Sequence, residues 1–448
     1  MTEWVETPLG GLCKFQAGDA FPKEKQGIAA GEYPFIKVSD MNLPGNERFI
    51  QRSNNWIQKA DASKYRLHPS GSVVFAKIGE ALRANRRRVL VRETIIDNNM
   101  MSAVPTGDIN PSFLLYVLEG IDFNNISRGS ALPYLAAGDL NKLIVTIPGK
   151  EVQQAIAETL SLLDQKIELN RRMNETLEGM AQAIFRDWFV DFGPVRRKIA
   201  LQSSAGGKAA GEADWQAIMG GLTPDPARAA QLAALFPAAF GDDGLPVGWK
   251  METIGNLTSE LRRGISPKYT VNEGVIVLNQ KCVRDGKVNF SLARKHDINA
   301  RSITGRELKF GDIVVNSTGV GTLGRVAQIW HVDKITIADS HLTVIRADQS
   351  KIGLYYLGIN LRLLQPEIES MGEGSTGQTE LSRKALGEMK IVTPNQPLWK
   401  AFDNLVTPLW ARAAAADEEN RTLAETRDYL LPRLMSGAVR VVPKGEAT

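Results

Sequence analysis

The chain carries one pattern twice. "EWVETPLGGL" at 3–12 resembles "GWKMETIGNL" at 248–257, with Trp4 over Trp249 and Gly10 over Gly255. "GSVVFAKIG" (71–79) lies over "GDIVVNSTG" (311–319), and "IDNNMMSAV" (96–104) over "IADSHLTVI" (337–345). "GSALPYLAAGDLNKLIVTIP" (129–148) pairs with "GSTGQTELSRKALGEMKIVTP" (374–394). The matches keep their order at an offset of roughly 240 to 246 residues. Ordered self-similarity of this kind demands two units with the same packing solution.

Each copy reads as a globular part followed by one long helix. "GSVVFAKI" and "GDIVVNST" are β-branched runs opened by glycine, as strands leaving a turn are. "PSFLLYVLEGI" (111–121) and "IGLYYLGINLRLL" (352–364) have the apolar density of short helices, and "LIVTIP" and "MKIVTP" read as last strands stopped by proline. After that strand the period changes. Ile156, Leu160, Leu163, Ile167, Leu177, Ala181, Ile184 and Trp188 fall on a 4-3-4 spacing, with Asn170 and Asn174 on the same seam. Phe402, Leu405, Leu409, Ala416, Asn420, Leu423, Leu430 and Leu434 repeat it. Such spacing predicts a coiled-coil seam, and an Asn on it fixes register because only a polar partner satisfies it. Helices of about 40 residues run to about 60 Å. Two in one chain most simply pack antiparallel, giving a pseudo-two-fold axis with a globular part at each end.

Phe185, Trp188, Phe189 and Phe192 crowd the end of the first such helix, where Gly193-Pro194 is expected to stop it. "YLLPRLMSG" (429–437) closes the second in a similar way, with Pro432 weakening the last turn and Gly437 ending it. Between the copies, the Gly-, Ala-, Ser- and Pro-rich stretch around 202–243 reads as a linker or loosely packed insertion. The expected divisions are 1–150, 151–192, 193–245, 246–394, 395–437 and a tail, 438–448.

Composition narrows the function. At 448 residues, 43% hydrophobic and 23% charged, the chain is an ordinary globular protein of two or three units. It shows no long uncharged apolar run to span a membrane, and its acidic start does not read as a signal peptide. Cys13 and Cys282 are too few and too far apart for a disulfide framework or zinc site, and a reducing cytoplasm is expected. "GVGTLG" (319–324) matches a dinucleotide fingerprint, but "RVAQIWHV" after it reads as a strand, so a glycine-rich hairpin is expected. "NPSF" (110–113) approximates a methyltransferase loop but more simply caps a helix. Asp297, Glu307 and Lys309 approximate a nuclease pattern with no counterpart in the first copy, and His68, His296, His331 and His341 lack metal-ligand spacing. No convincing active site emerges.

What remains is recognition. "RANRRRVLVR" (83–92) places five arginines in ten residues, and "ELRRGISPK" (260–268), "QKCVRDGK" and "LARK" (292–295) supply basic loops in the second copy. A charged run is often only a solvated surface. Two equivalent domains with basic loops on a rigid support instead suit a DNA site in two halves, since Arg and Lys neutralise phosphates and Arg, Asn, Gln and Ser read base edges.

"LPVGWKMETIGNL", "LLDQKIELNRRMNETLEGMAQAIFRDWFVDFGPV" and "RTLAETRDYLLPRLMSGAVRV" together resemble the specificity (S) subunit of Type I restriction–modification systems, over essentially the whole chain. The resemblance implies an α+β fold: two similar target recognition domains separated by two long antiparallel coiled-coil helices. It implies that each domain reads one half of a bipartite double-stranded DNA target. It also implies assembly with two methyltransferase subunits and with restriction motor–nuclease subunits. S-adenosylmethionine, ATP and Mg would belong to those partners, with no cofactor, metal or catalysis in this chain. Carried onto these residues, it makes Lys77, Arg83, Arg86, Arg87, Arg88, Arg128, Gly129 and Ser130 the DNA-facing candidates of the first domain. Arg262, Arg263, Asn316, Ser317, Arg325, Ser375, Thr376 and Gln378 are those of the second, and Trp188 and Phe189 are candidates for docking the methyltransferase subunits. A self-sufficient modifying enzyme and a structural coiled-coil adaptor are the alternatives.

Overall fold

The structure, a computed structural model, describes residues 4–107, 109–204, 211–319, 321–372 and 380–441. The chain divides into two units, one running to Asn174 and resuming at Ala415, the other Glu175–Ala414. Each unit holds one globular part and a portion of both long helices, the central helix Lys150–Phe185 and the distal helix Gln396–Met435.

In the first unit, Val5–Pro8 pairs antiparallel with Ile144–Ile147, closing the globular part just before the central helix begins. A five-stranded sheet runs in the order Cys13–Ala17, Met100–Pro105, Val73–Ala76, Arg88–Leu90, Phe49–Ile50. A three-stranded sheet places Tyr33–Ile36 between Trp56–Ile57 and Ile95–Ile96. The helix Pro111–Glu119 buries Phe113, Leu114, Tyr116 and Leu118 in a core shared with Ile156, Ala157, Leu160 and Leu434 of the long helices.

The second unit repeats this plan. Lys250–Thr253 pairs antiparallel with Lys390–Thr393, and four-stranded sheets are built on Ile313–Asn316 and Val275–Leu278. The correspondence reaches single hydrogen bonds. Gly71 N donates to Leu90 O at 2.8 Å, and Gly311 N to Ile329 O at 2.8 Å. Asp97 N donates to Ile36 O at 2.8 Å, and Asp339 N to Leu278 O at 2.9 Å. Gly18 and Gly264 lie so close to the chain that a Cβ would fall 2.2 Å from Ile96 O and 2.0 Å from Asp339 O, respectively. The expected hairpin at the "GVGTLG" segment forms, with Ile313–Asn316 antiparallel to Val326–Gln328.

Within the first unit, Arg427 Nη1 meets Asp164 Oδ1 at 2.9 Å, and Asn170 Nδ2 donates to Glu419 Oε2 at 2.7 Å and Asn420 Oδ1 at 3.1 Å. Asn174 Nδ2 donates to Asp417 Oδ1 at 2.7 Å. Rising numbers on one helix meet falling numbers on the other, so these segments run antiparallel. Ile156, Leu160 and Ile167 are buried on the seam, with Leu163, Leu423 and Leu430 half-buried beside them. In the second unit Phe185 packs on Phe402 at 5.6 Å between ring centroids, and Ala181 is buried with Leu177, Ile184 and Leu409 half-buried. Val406 and Ala413 hold buried seam positions there, while Leu405 is half-buried beside them. The distal seam therefore reads Phe402, Val406, Leu409, Ala413, Ala416, Asn420, Leu423, Arg427, Leu430 and Leu434, an unbroken alternation of four and three.

Three sequence expectations are corrected in the second unit. Gly193-Pro194 does not stop a helix but opens one, Gly193–Ser204, after a single π-helical turn at Arg186–Val190 and Phe192 at φ 53°. Proline is tolerated there because the first turn has no intrahelical use for its N–H. The stretch read as a loose linker folds as Glu212–Ile218 and Pro226–Ala234, the latter capped by Asp225, and buries Ile218, Met219, Ala229, Ala233 and Phe236. Trp188 and Phe189, expected as docking residues, are buried in that same core among Phe236, Trp249, Tyr356 and Phe402. They offer no surface to a partner because the insertion covers them.

Candidate nucleic-acid interface

In the first unit the end of strand Val73–Ala76 is held from both sides. Lys77 N donates to Asn99 O at 2.9 Å, and Leu135 N donates to Lys77 O at 2.8 Å. Gly79 N reaches Pro133 O at 2.8 Å, which ties the turn after the strand to the loop 127–134. Arg83 Nη2 donates to Ser130 O at 3.3 Å across the same junction. Lys77, Arg83, Arg128, Gly129 and Ser130 are thereby brought onto one edge. Arg128, held to Asp139 at 2.5 Å, is exposed with Gly129 and Ser130. Gly129 takes φ 83°, where a Cβ would also strike Leu132 O at 2.7 Å.

The arginine run divides by exposure just before and at the start of the strand Arg88–Leu90. Arg86 is exposed and hydrogen-bonded to Asn42, whereas Arg87 points inward, 3% exposed, its guanidinium over the Phe123 ring at 3.8 Å and donating to the carbonyls of Asn85 and Ile121. Arg88 is half-buried. Arg87 therefore braces the domain from inside in this structure.

The second unit builds the same junction. Ser317 N donates to His341 O at 2.8 Å and Leu381 N to Ser317 O at 2.8 Å, the counterparts of the Lys77 pairings. Asn316 and Ser317 are fully buried and bonded to neighbouring groups. Asn316 Nδ2 donates to the carbonyls of Gln280 and Thr322 at 3.0 Å, and Ser317 Oγ lies 2.6 Å from Thr343 Oγ1. Both residues hold the strand end rather than face solvent. Arg263 Nη2 pairs with Glu380 at 2.7 Å and Arg262 Nε with Glu260 at 2.6 Å, while Arg325 Nη2 donates to Gly321 O at 2.8 Å. Ser375, Thr376 and Gln378 lie outside the described residues.

Several residues at these edges were not singled out from sequence. Asn99 and Tyr134 are exposed in the first unit. His341 is exposed in the second, its Nδ1 2.7 Å from Thr318 Oγ1. Asn99 and His341 occupy matched places in the backbone frame, their carbonyls accepting from Lys77 N and Ser317 N, whereas the sequence alignment sets Ser340 over Asn99 and so gave no signal for the pair. Other motifs resolve as structural. His296 is buried with Nδ1 accepting from Lys268 N and Nε2 on Arg301 O, both at 2.8 Å. Cys13 and Cys282 are buried free thiols, burial pushing that of Cys13 up to about 12. No helix among the described residues is long and apolar enough to cross a membrane.

Residues 1–179 match the family described as Type I restriction modification DNA specificity domain. Over 98% of its length the chain is 26% identical to all of the Type I restriction enzyme HindI specificity subunit of Haemophilus influenzae. It is 24% identical, over 98% of its length, to 97% of the MjaIX specificity subunit of Methanocaldococcus jannaschii. In fold it is similar to the Type-I restriction-modification system S subunit from M. genitalium, at a TM-score of 0.55, 15% identity, and coverage of 97% of this chain and 96% of the other. Residues 1–179 thus carry the match to the Type I restriction modification DNA specificity domain, and over nearly its whole length the chain is similar to Type I restriction enzyme specificity subunits.

Proposed function

We propose that this subunit reads a bipartite DNA target, each unit recognising one half-site, and directs adenine methylation or cleavage carried out by partner subunits. The observation that supports this reading is the same backbone junction in both units, Lys77 and Ser317 each clamped on two sides, with different side chains hung on it. A shared frame with divergent loops is what two readers of different sequences need, because phosphate contacts position a domain and loop side chains specify bases. Lys77, Arg83, Arg86, Arg128, Gly129 and Ser130 would meet one half-site, and Thr318, Arg325 and His341, with Ser375, Thr376 and Gln378, the other.

The long helices would set the unread gap between half-sites. At about 1.5 Å per residue, 36 and 40 residues give about 54 and 60 Å. Two methyltransferase subunits binding S-adenosylmethionine, and restriction subunits using ATP and Mg, would supply the chemistry.

The test is to co-express the chain with its methyltransferase partner and map methylated adenines across a genome. A motif of two specified parts with a gap of constant length is expected. Arg83→Ala with Arg128→Ala should weaken duplex binding and lower the salt slope of log K by about 2, since each phosphate no longer neutralised removes about 0.9 from it. A contiguous motif, or an unchanged slope with unchanged affinity, would overturn the reading and the assignment of these two residues, respectively.

A further inference from the structure

A polar cavity of about 260 Å³ lies in the first unit, and Lys77, Arg83 and Arg128 to Ser130 are not among its lining residues. The globular part contributes Glu47, Arg48, Arg86, Arg87, Arg88 and Glu119, the central helix Asp164, Glu168 and Arg171, and the distal helix Arg427. Six arginines thus face four carboxylates. The carboxylates are already committed. Glu119 and Asp164 pair with Arg48, Asp164 also with Arg427, and Glu47 and Glu168 with Arg171.

Arg86, Arg87 and Arg88 are left with neutral acceptors only: Asn42 for the first and backbone carbonyls for the other two. Among the described residues, the buried Nε–H groups of Arg48, Arg87 and Arg88 find no acceptor at all. Arg87 and Arg48 are 3% and 8% exposed, so bulk water does not satisfy them freely. A buried donor without a partner, next to surplus like charge, is costly unless something supplies acceptors. Burial pushes the guanidinium groups of both Arg87 and Arg88 down to about 10, the neighbouring Arg86 adding to the effect on Arg88.

We infer that this cavity binds a phosphate-type oxyanion, which bridges the arginine run of the globular part to the two long helices. The chemistry fits on three counts. A tetrahedral dianion balances the surplus of two guanidinium charges. Its oxygens accept from several forks at once, which a single carboxylate cannot. The volume holds phosphate or pyrophosphate with a few waters, each water taking about 30 Å³. The anion is either free in solution or a phosphate of bound DNA, and the two sources give different outcomes. This inference does not rest on the proposed bipartite readout.

The test titrates the full-length chain with inorganic phosphate and with pyrophosphate at constant ionic strength, read by calorimetry and by melting temperature. One saturable site is expected, with a melting temperature that rises on occupancy beyond a sodium chloride control. Arg86→Gln, at an exposed residue, and Arg88→Gln, at a half-buried one, should each weaken binding about tenfold, as loss of a charge-assisted bond implies. Lys142→Gln, an exposed change of the same charge outside the cavity lining, should not. Repeating the titration with a saturating specific duplex assigns the source: competition means a DNA phosphate fills the cavity, and independent binding means a free anion does. Absence of a saturable site in the unaltered chain overturns the inference. So does equal affinity in both arginine variants.

Discussion

Asp403 on the distal helix caps a helix that is not its own. Its Oδ1 accepts the N–H of Tyr356 at 3.1 Å and its Oδ2 that of Tyr355 at 3.4 Å, in the first turn of Leu354–Leu363. In the first copy the matching helix is capped by its preceding residue, Asn110, whose side chain accepts from Phe113 N at 3.1 Å. In the second copy that place is Gly353, where a Cβ would fall 2.4 Å from Asp403 Oδ2, so glycine is what admits the borrowed carboxylate. Two effects compete at this carboxyl: burial favours the neutral acid, and the N–H donors favour the anion. Burial wins, raising it from 3.8 to about 6. At about 1.4 kcal/mol per unit, ionised Asp403 costs the fold about 3 kcal/mol relative to the acid. The folded protein holds this proton more tightly than the unfolded chain does. Its stabilisation is therefore full below pH 3.8 and is lost as pH rises through about 6. Asp403→Asn cannot titrate. The stability gap between wild type and variant should shift against wild type by about 2 kcal/mol between about pH 4.5 and about pH 7. Urea unfolding followed by tryptophan fluorescence reads this, since Trp188, Trp215, Trp249, Trp330, Trp399 and Trp410 all lie in that unit. A gap that stays constant with pH, or moves the other way, would refute the reasoning.

Two further outcomes are expected. Asp164→Ala removes the acceptor shared by Tyr116 Oη at 2.8 Å, Arg427 at 2.9 Å and Arg48 at 2.6 Å, and should destabilise the first unit by about 3–5 kcal/mol in urea unfolding. Arg427→Ala added to it should cost little more, and full additivity of the two changes would contradict a shared hub. Gly18→Ala and Gly264→Ala each push a methyl into backbone carbonyls and should each cost about 2 kcal/mol or more of their own unit's stability, with tolerance at either site counting against the common frame.

The long helices were legible because their periodicity is carried by many residues at once, and the Asn170–Asn420 pair was foreseeable from a polar residue on each seam. Arg427 was not, because a charge at a seam position reads as a break until Asp164 is seen opposite. The helices at 193–234 were hidden by composition. Alanine and glycine suggest slack, yet Asp225 before Pro226, with Ala229 and Ala233 one turn apart, carried a cap and a packing face. Arg87, Asn316 and Ser317 show why strand-end residues resist sequence reading. A polar type suggests solvent, but burial of the strand end and the carbonyls waiting there decide otherwise.

The division of labour inside each unit follows from where its polar bonds are spent. The junction at Lys77 and Ser317 is tied by main-chain donors and acceptors in both units, a frame shared by a lysine in one copy and a buried serine in the other. Attachment to the helices instead depends on particular side chains: Tyr116, Arg48, Asp164 and Arg427 in one unit, Asp403 and Gly353 in the other. The loops 127–134 and 318–325 contribute none of those anchoring groups. They can change while the anchors stay fixed. The loops are thus separable from the support at the level of single hydrogen bonds, and under the proposed function a new target would not require rebuilding the helices.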